Sequence, residues 1–490
     1  MLRYVCFPNE RSKEGEEMQV KNGTAPTRLP LEKEFNLFRL TWPIFLEVFL
    51  FMLMGIVDTL VLSAVSDDAV AAVGAANQVI SIAILILEVV GNGAAIVIAQ
   101  YIGARNHYEA ARISGLSITL NLMLGVLMSG IFLIFGQHLM TMLNLHGDIL
   151  VYANSYLAIV GGAIFLQALI NMLSATIRTY GQTKATMFVA LGMNALNLAG
   201  NYLLVFGHLG FPQLGVQGSA LATVISRAVA VFFLVWMLYQ VMEVRIQFKF
   251  YLNLSREYIM KILKIGIPSA LEQITYQSCQ MIFFFYATFL GAQALAARQY
   301  ATNISMFIYL FAVAVAIGTG IIVGRLVGAN RKEDAYHQVW SSVKRAIVIT
   351  VVVDLVVILL RHPLVGIFTE DADVIRMATQ VLVLSIVLET ARTFNMIVIG
   401  SLRAAGDAKF PVYVGLVSMV GISLPLGYVL VFQFNMGLPG IWLAIAADEW
   451  IRVAIMYMRW KSRVWKKHSL VQHDEPEQGE NLVPPAAPSV

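Results

Sequence analysis

Apolar residues in this chain come in long blocks separated by short polar connections, as over Trp42–Ala64 and Ile347–Leu360. A bilayer span needs about 20 mostly apolar residues. The blocks predict twelve spans, near 38–64, 70–100, 114–136, 149–174, 184–206, 217–240, 262–290, 295–324, 345–362, 374–402, 409–434 and 437–458. One such block would also suit a buried helix of a soluble protein. Twelve leave no polar surface for a soluble fold, so the pattern predicts an all-α polytopic membrane protein with twelve transmembrane helices. The ends differ in character. Residues 1–36 are polar, mixed in charge and without a signal-peptide run, which predicts a disordered cytoplasmic tail, with Met18 as an alternative start. Polar, proline-rich sequence at the other end predicts a second cytoplasmic tail over 461–490.

Composition supports this division. Charged residues make up 13% and the mean hydropathy is +0.72, against about 25% charged in soluble domains. Cys6 and Cys279 are the two cysteines and predict neither a disulfide nor a metal centre.

Charge placement orients the spans. Arg105, Arg112, Arg178, Lys184, Arg245, Lys249, Arg256, Lys261, Lys264, Arg325, Arg331, Lys332, Lys344, Arg345, Arg403 and Lys409 fall in alternate connections, and Arg459, Lys461, Arg463, Lys466 and Lys467 follow the last span. The opposite connections carry Asp67, Asp68, His146, Asp148, Glu370 and Asp371, with Arg361 and Arg376 nearby. Basic connections stay in the cytoplasm. The expectation is a multi-pass protein of the cell (inner or plasma) membrane with both termini inside. The net charge of +4 follows from this bias and implies no nucleic-acid partner.

A shift of 225 residues lays the chain on itself. Pro43 and Glu47 fall on Pro268 and Glu272, and Ala71-Ala72 on Ala296-Ala297. Residues 98–104 fall on 323–329, and Arg178, Gly181 and Lys184 on Arg403, Gly406 and Lys409. With a one-residue slip, Tyr202–Phe206 meets Tyr428–Phe432. Ordered matches at one offset indicate duplication. The domain reading is therefore a six-helix lobe at 37–240, a cytoplasmic linker at 241–261 and a second six-helix lobe at 262–460. Each copy holds an even number of spans, so both enter the membrane the same way up, as in transporters with midplane sites. A membrane enzyme would need clustered His, or paired Asp or Ser, at helical spacing. The chain shows no convincing set, and no enzymatic activity is expected.

These signatures resemble the multidrug and toxic compound extrusion (MATE) family. The matching segments are Met54–Thr59, Ile102–Arg105, Asn197 with Asn201-Tyr202, Gly266–Pro268, Val327–Asn330 and Leu402–Asp407. The resemblance covers about residues 36–462. It implies a V-shaped fold of two six-helix lobes and export of small organic cations or drugs, driven by inward Na+ or H+. No cofactor is expected beyond that coupling ion. The partners expected are organic cations and the lipid bilayer, and the protein is read as a monomer.

Ionisable groups at midplane depth cost about 2.5–3.5 kcal/mol on insertion scales and usually have a role. Eight acids lie in spans: Glu47, Asp58, Glu88, Glu272, Asp354, Glu389, Asp448 and Glu449. Arg227, Arg392 and Arg452 are the bases at clear depth, which leaves an apparent excess of five acids suited to a cation path. Asp58 with Asn197 and Asn201 is the first candidate site. The asparagines are four apart and share a helix face at matching depth. One carboxylate with amide oxygens can hold a proton or sodium, and these three are the possible Na+ ligands. The resemblance places a cation site at Asp58 with polar groups of the fifth span; Asn171 and Thr223 are weaker additions. Glu272, Glu47, Glu389 and Asn395 are candidates for the substrate or proton path, with Glu272 one turn after Pro268. The structural alternative for Glu47 and Glu272 is a protonated carboxyl bridging helices. Glu389 with Arg392, and Asp448 with Arg452, are spaced to pair. The aromatics of 281–289 could meet flat cations, although packing is the commoner use. The alternative functions are a flippase for lipid-linked sugars and an exporter of a physiological metabolite. A flippase should show clustered Arg or Lys for phosphate, and the apparent acid excess argues against it.

Overall fold

The computed structural model describes residues 37–143 and 145–471; the predicted tail over 1–36 and residues 472–490 lie outside them. Twelve helical rods follow one another: α1 Leu37–Ser63, α2 Asp67–Gly103, α3 His107–Met142, α4 Gly147–Gly161 continued by Ile164–Thr179, α5 Thr183–Leu204, α6 Val216–Val241, α7 Arg256–Thr288, α8 Ala292–Gly328, α9 Lys332–Leu359, α10 Ala372–Ala404, α11 Lys409–Gln433 and α12 Leu438–Lys461. Among the described residues no strand occurs. Eight rods, or nine with α4, are long and apolar enough to cross a bilayer on their own. The exceptions are α7, α9 and α12. They carry Glu272 and Gln273, Lys344 and Asp354, and Asp448, Glu449 and Arg452. Large apolar side chains such as Leu133, Ile134, Phe232, Phe285 and Leu359 are exposed on the bundle, a surface suited to lipid.

Local sequence explains the breaks. Asp67 and Asp68 open α2 behind the N-cap Ser66, whose hydroxyl accepts from the Ala69 amide, so acids sit at the positive end of the helix. Arg105 and Asn330 take left-handed backbone at matching turns after α2 and α8. The repeat thus builds the same turn twice. Rod α4 bends by 44° after a π-helical turn at Leu157–Gly161, which the continuous apolar run had concealed.

The lobes share one end and separate at the other. At the end carrying residues 37 and 461, a single core joins Ile98, Ile113 and Leu173 of the first lobe to Tyr258, Ile262, Ile265 and Ala408 of the second. At the far end each lobe has its own core, around Leu87, Leu157 and Ile164 in one and Phe283, Leu382 and Ile441 in the other. The join rests on backbone approach. A Cβ at Gly103 would strike the Arg325 carbonyl, and one at Gly328 would strike the Gln100 carbonyl. These two glycines are repeat partners, so α2 and α8 make one close crossing to which each contributes a glycine against the other's backbone.

Two boundaries need correction. The linker expected at 241–261 contains the short helix Phe248–Leu252, whose Phe250 is buried, and α7 already starts at Arg256. The segment after α12 is packed rather than a free tail as far as residue 471. Trp465 stacks on Trp460 with ring centroids 4.2 Å apart. The Leu470 amide donates to Gln100 Oε1 at 2.9 Å, while Gln100 Nε2 donates to the Ala404 carbonyl at 2.7 Å. Gln100 thereby ties both lobes to the C-terminal segment.

Overpacking a close contact costs roughly 1–3 kcal/mol. Gly103→Val and Gly328→Val should each lower the thermal midpoint of the purified protein, followed by tryptophan fluorescence. Gly74→Ala, with open space at its Cβ position, should leave it nearly unchanged.

Candidate functional site

Asp58 lies on α1, is 6% exposed, and meets α5 and α6. Asn201 Nδ2 donates to Asp58 Oδ1 at 2.6 Å, and the Thr223 hydroxyl faces Oδ2 at 3.4 Å. Asn201 Nδ2 also reaches Asn197 Oδ1 at 3.2 Å, and Asn197 Nδ2 reaches Thr223 Oγ1 at 3.2 Å. Four of the five residues grouped from sequence therefore meet. Asn171 does not join them: its Oδ1 accepts from Gln167 Nε2 at 2.8 Å, one turn back on α4. The cluster offers only oxygens as cation ligands, from Asp58, Asn197, Asn201 and Thr223, which is a hard donor set. Asn201 Oδ1 is buried without a partner among the described residues. That spare oxygen, beside a carboxylate held by amide donors, fits a proton or sodium.

The second lobe has nothing equivalent. Asp58 falls on Phe283 in the repeat, and Asn201 falls on Gly427. A Cβ at Gly427 would lie 2.6 Å from the Phe283 ring. The polar contact of one lobe is a ring on a glycine in the other.

The remaining acid candidates are neutralised. Arg178 pairs with Glu47 at 3.0 Å, and the Thr186 hydroxyl donates to the same carboxylate at 2.6 Å. Arg403 pairs with Glu272. Each pair joins residues 131 apart, so the ion pair itself was duplicated. Glu389 pairs with Arg392 at 2.6 Å. Asn395 Nδ2 donates to Glu449 Oε2 at 2.7 Å, and Arg452 holds both Glu449 at 2.6 Å and Asp448 at 3.1 Å. Arg178 and Arg403 reach inward from helix ends that the sequence placed in connections, so Glu47 and Glu272 each meet an arginine that the sequence reading had not assigned to them.

Both lobes line one cavity of ≈ 830 Å³. Its wall carries five acids, Glu47, Asp58, Glu88, Glu272 and Glu449, and five arginines, Arg178, Arg227, Arg392, Arg403 and Arg452. The acid excess counted along the spans does not reach the cavity. Removing the ion pairs leaves three charges facing it without an ionic partner among the described residues: Asp58, Glu88 and Arg227. Glu88, on α2, was counted among the span acids but not among the candidate sites; Arg227, on α6, had no assigned role. Tyr156, Tyr276 and Tyr309 add aromatic wall. The aromatics of 281–289 do not: Phe283 is buried within its lobe, and Met281, Phe284 and Phe285 are exposed on the bundle. The co-duplication of Arg178 and Arg403 with Glu47 and Glu272 was the available signal for the ion pairs.

Comparison with known proteins agrees with this architecture. A family model described as MatE matches residues 43–203 and 268–429, one match in each lobe. An uncharacterized transporter, YisQ of Bacillus subtilis (strain 168), is 42% identical over 436 residues, 89% of this chain and 96% of the relative. A probable multidrug resistance protein NorM of Thermotoga maritima is 26% identical over 90% of this chain and 94% of its own length. A crystal structure of MATE in a bent conformation superposes with a TM-score of 0.79 at 22% identity, covering 88% of this chain and 96% of that one. A MOP superfamily transporter from Pyrococcus furiosus, described as having a binding pocket of reversed polarity that suggests a different function, gives 0.78 at 21% identity over 87% and 95%.

Removing one partner of a buried ion pair costs about 3–5 kcal/mol, because the other charge is left uncompensated. Arg178→Ala and Arg403→Ala should each lower the thermal midpoint markedly, and the paired neutral variant Glu47→Gln/Arg178→Gln should recover most of the loss. Glu88→Gln, with no ion pair to break, should shift it little.

Proposed function

The chain belongs to the MatE family of transporters, and from that premise we propose that it is a secondary active antiporter, exporting organic cations or drugs in exchange for Na+ or H+. The observation that carries this reading is the cavity shared by both lobes, into which Asp58 and Glu88 face without a direct salt bridge among the described residues. Asp58 is the coupling site in this reading. Its carboxylate is desolvated and held by Asn201 and Thr223, so binding of a proton or sodium removes a buried charge. Glu88 seats the cationic centre of the substrate, with the faces of Tyr276 and Tyr309 available for cation–π contact.

The arrangement of the cores supports alternating access. The lobes are joined at the end carrying residues 37 and 461, and have separate cores at the other. The basic residues cluster at the joined end, which supports a cytoplasmic location for it by the positive-inside rule. In this reading the cavity opens to the outside of a cell-membrane protein. Loading of Asp58 from outside, followed by rocking of one lobe against the other, would bring the cavity to the cytoplasm. Relatives named as multidrug resistance proteins support a small-molecule cargo.

A second reading, export of a charged physiological metabolite, is favoured by one observation. The five arginines of the cavity match its five acids, so the acid excess that argued against an anionic group on the cargo is gone.

The test is ethidium export from proteoliposomes with sodium and pH gradients imposed separately. One gradient should drive export in the wild type, and Asp58→Asn should abolish the response to it. Glu88→Gln should raise the half-saturating ethidium concentration by roughly tenfold, the scale of one lost charged contact. Full gradient-coupled export in Asp58→Asn would sink the assignment of that residue.

A further inference from the structure

We infer that Arg227 forms a buried seat for an anionic group, and that the natural cargo is amphoteric, carrying a carboxylate or phosphate as well as a cationic nitrogen. This rests on the exporter reading above and narrows it to a substrate class.

Arg227 stands on α6 one turn beyond Thr223 and lines the cavity. Each of the other four arginines in that wall has its own carboxylate: Arg178 has Glu47, Arg392 has Glu389, Arg403 has Glu272 and Arg452 has Glu449 with Asp448. Arg227 has none. Its Nε and Nη1 are buried and have no acceptor among the described residues. Its electrostatic neighbours are Tyr156 and Asp58, but the oxygens of Asp58 already face Asn201 and Thr223.

The internal repeat shows how this charge came to stand alone. Gly215, Gly218, Leu221 and Ala222 at the start of α6 align with Gly437, Gly440, Leu443 and Ala444 of α12. On that alignment Arg227 falls on Glu449, while Arg452, the base that neutralises Glu449 one turn along, falls on Ala230. The second lobe pairs its charge within one helix. The first lobe has the opposite charge and a methyl group where the partner would stand.

A guanidinium stays charged in any protein environment and offers five donors in a planar fork. Without a partner in a low-dielectric wall it favours whatever anion can reach it, and the fork matches a carboxylate or phosphate. Tyr156 lines the cavity beside Arg227 and can add a hydroxyl donor. The acid pole is separate. Glu88 lies 21 residues from the start of α2 at Asp67, and Arg227 lies 11 from the start of α6 at Val216. Both helices begin at the same end of the bundle, so the two poles differ in depth by about 15 Å before helix tilt is allowed for. An elongated cargo with its amine toward Glu88 and its acid toward Arg227 satisfies both.

The test is equilibrium binding to the purified full-length protein in lipid nanodiscs at neutral pH. The probes are one xanthene dye in two forms, the ethyl ester (a cation) and the free acid (a zwitterion), read by fluorescence anisotropy. The wild type should bind the free acid more tightly than the ester. Arg227→Gln should weaken the free acid by about tenfold or more, as expected for loss of a charged hydrogen-bonding partner, and leave the ester within about twofold. Arg227→Lys keeps the charge without the fork, and should fall between the two while confirming that the fold tolerates the site. Equal weakening of both dyes, an unchanged ratio between them, or no binding of the free acid by the wild type overturns the proposal. Failure of the exporter reading looks different: both dyes bind as described, but no ion gradient drives export of the ester.

Discussion

A charge inside a hydrocarbon-embedded bundle must be neutralised or used, and most of this structure follows from how that is done. In each lobe the first helix brings a glutamate inward, and the end of the fourth returns an arginine to meet it. Glu47 with Arg178 and Glu272 with Arg403 are the two copies. The glutamates lie on α1 and α7 and the arginines at the ends of α4 and α10, so each ion pair fixes the geometry of its lobe around the cavity. Removing either member would leave the other charge stranded.

The same economy governs the seam between lobes. Gly103 and Gly328 let two backbones touch where side chains would force them apart. Gln100, fully buried, uses its amide on the Ala404 carbonyl and its carbonyl on the Leu470 amide. Every polar group in this contact has a partner, as a buried seam requires. The far ends have separate cores instead. A rigid join at one end and independent cores at the other give two bodies that can rock about a common base.

Function then sits where the two copies stop matching. In the first lobe Asp58 is held by Asn201, while in the second Phe283 lies on Gly427. The first lobe leaves Arg227 unpaired where the second holds Glu449 against Arg452. Each charged residue that the second lobe puts in the cavity wall is ion-paired, whereas the first lobe presents Asp58, Glu88 and Arg227 without salt bridges among the described residues. The unpaired charges of the wall thus concentrate in one copy.

Much of this was legible in the chain. Apolar run length set the helix count, because spanning a bilayer demands it. The 225-residue repeat set the two lobes. The four-residue spacing of Asn197 and Asn201, with their depth against Asp58, located the Asp58 cluster, because helical rise converts sequence distance into depth. What the chain could not state was which charges cancel. Arg178 and Arg403 sit at helix ends and read as connection residues, and only long side chains folding back into the bundle reveal them as partners of Glu47 and Glu272. Asn171 lies too far along α4 from Gly147 to share the depth of the cluster near the end of α1, and its amide oxygen accepts from Gln167 instead. Local sequence fixes the rise along each helix, but not the rotation of one helix against another. Rotation decides which side chains share a wall, and so only the packed structure shows that, of the eight acids, Asp58 and Glu88 line the cavity without a salt bridge, together with Arg227.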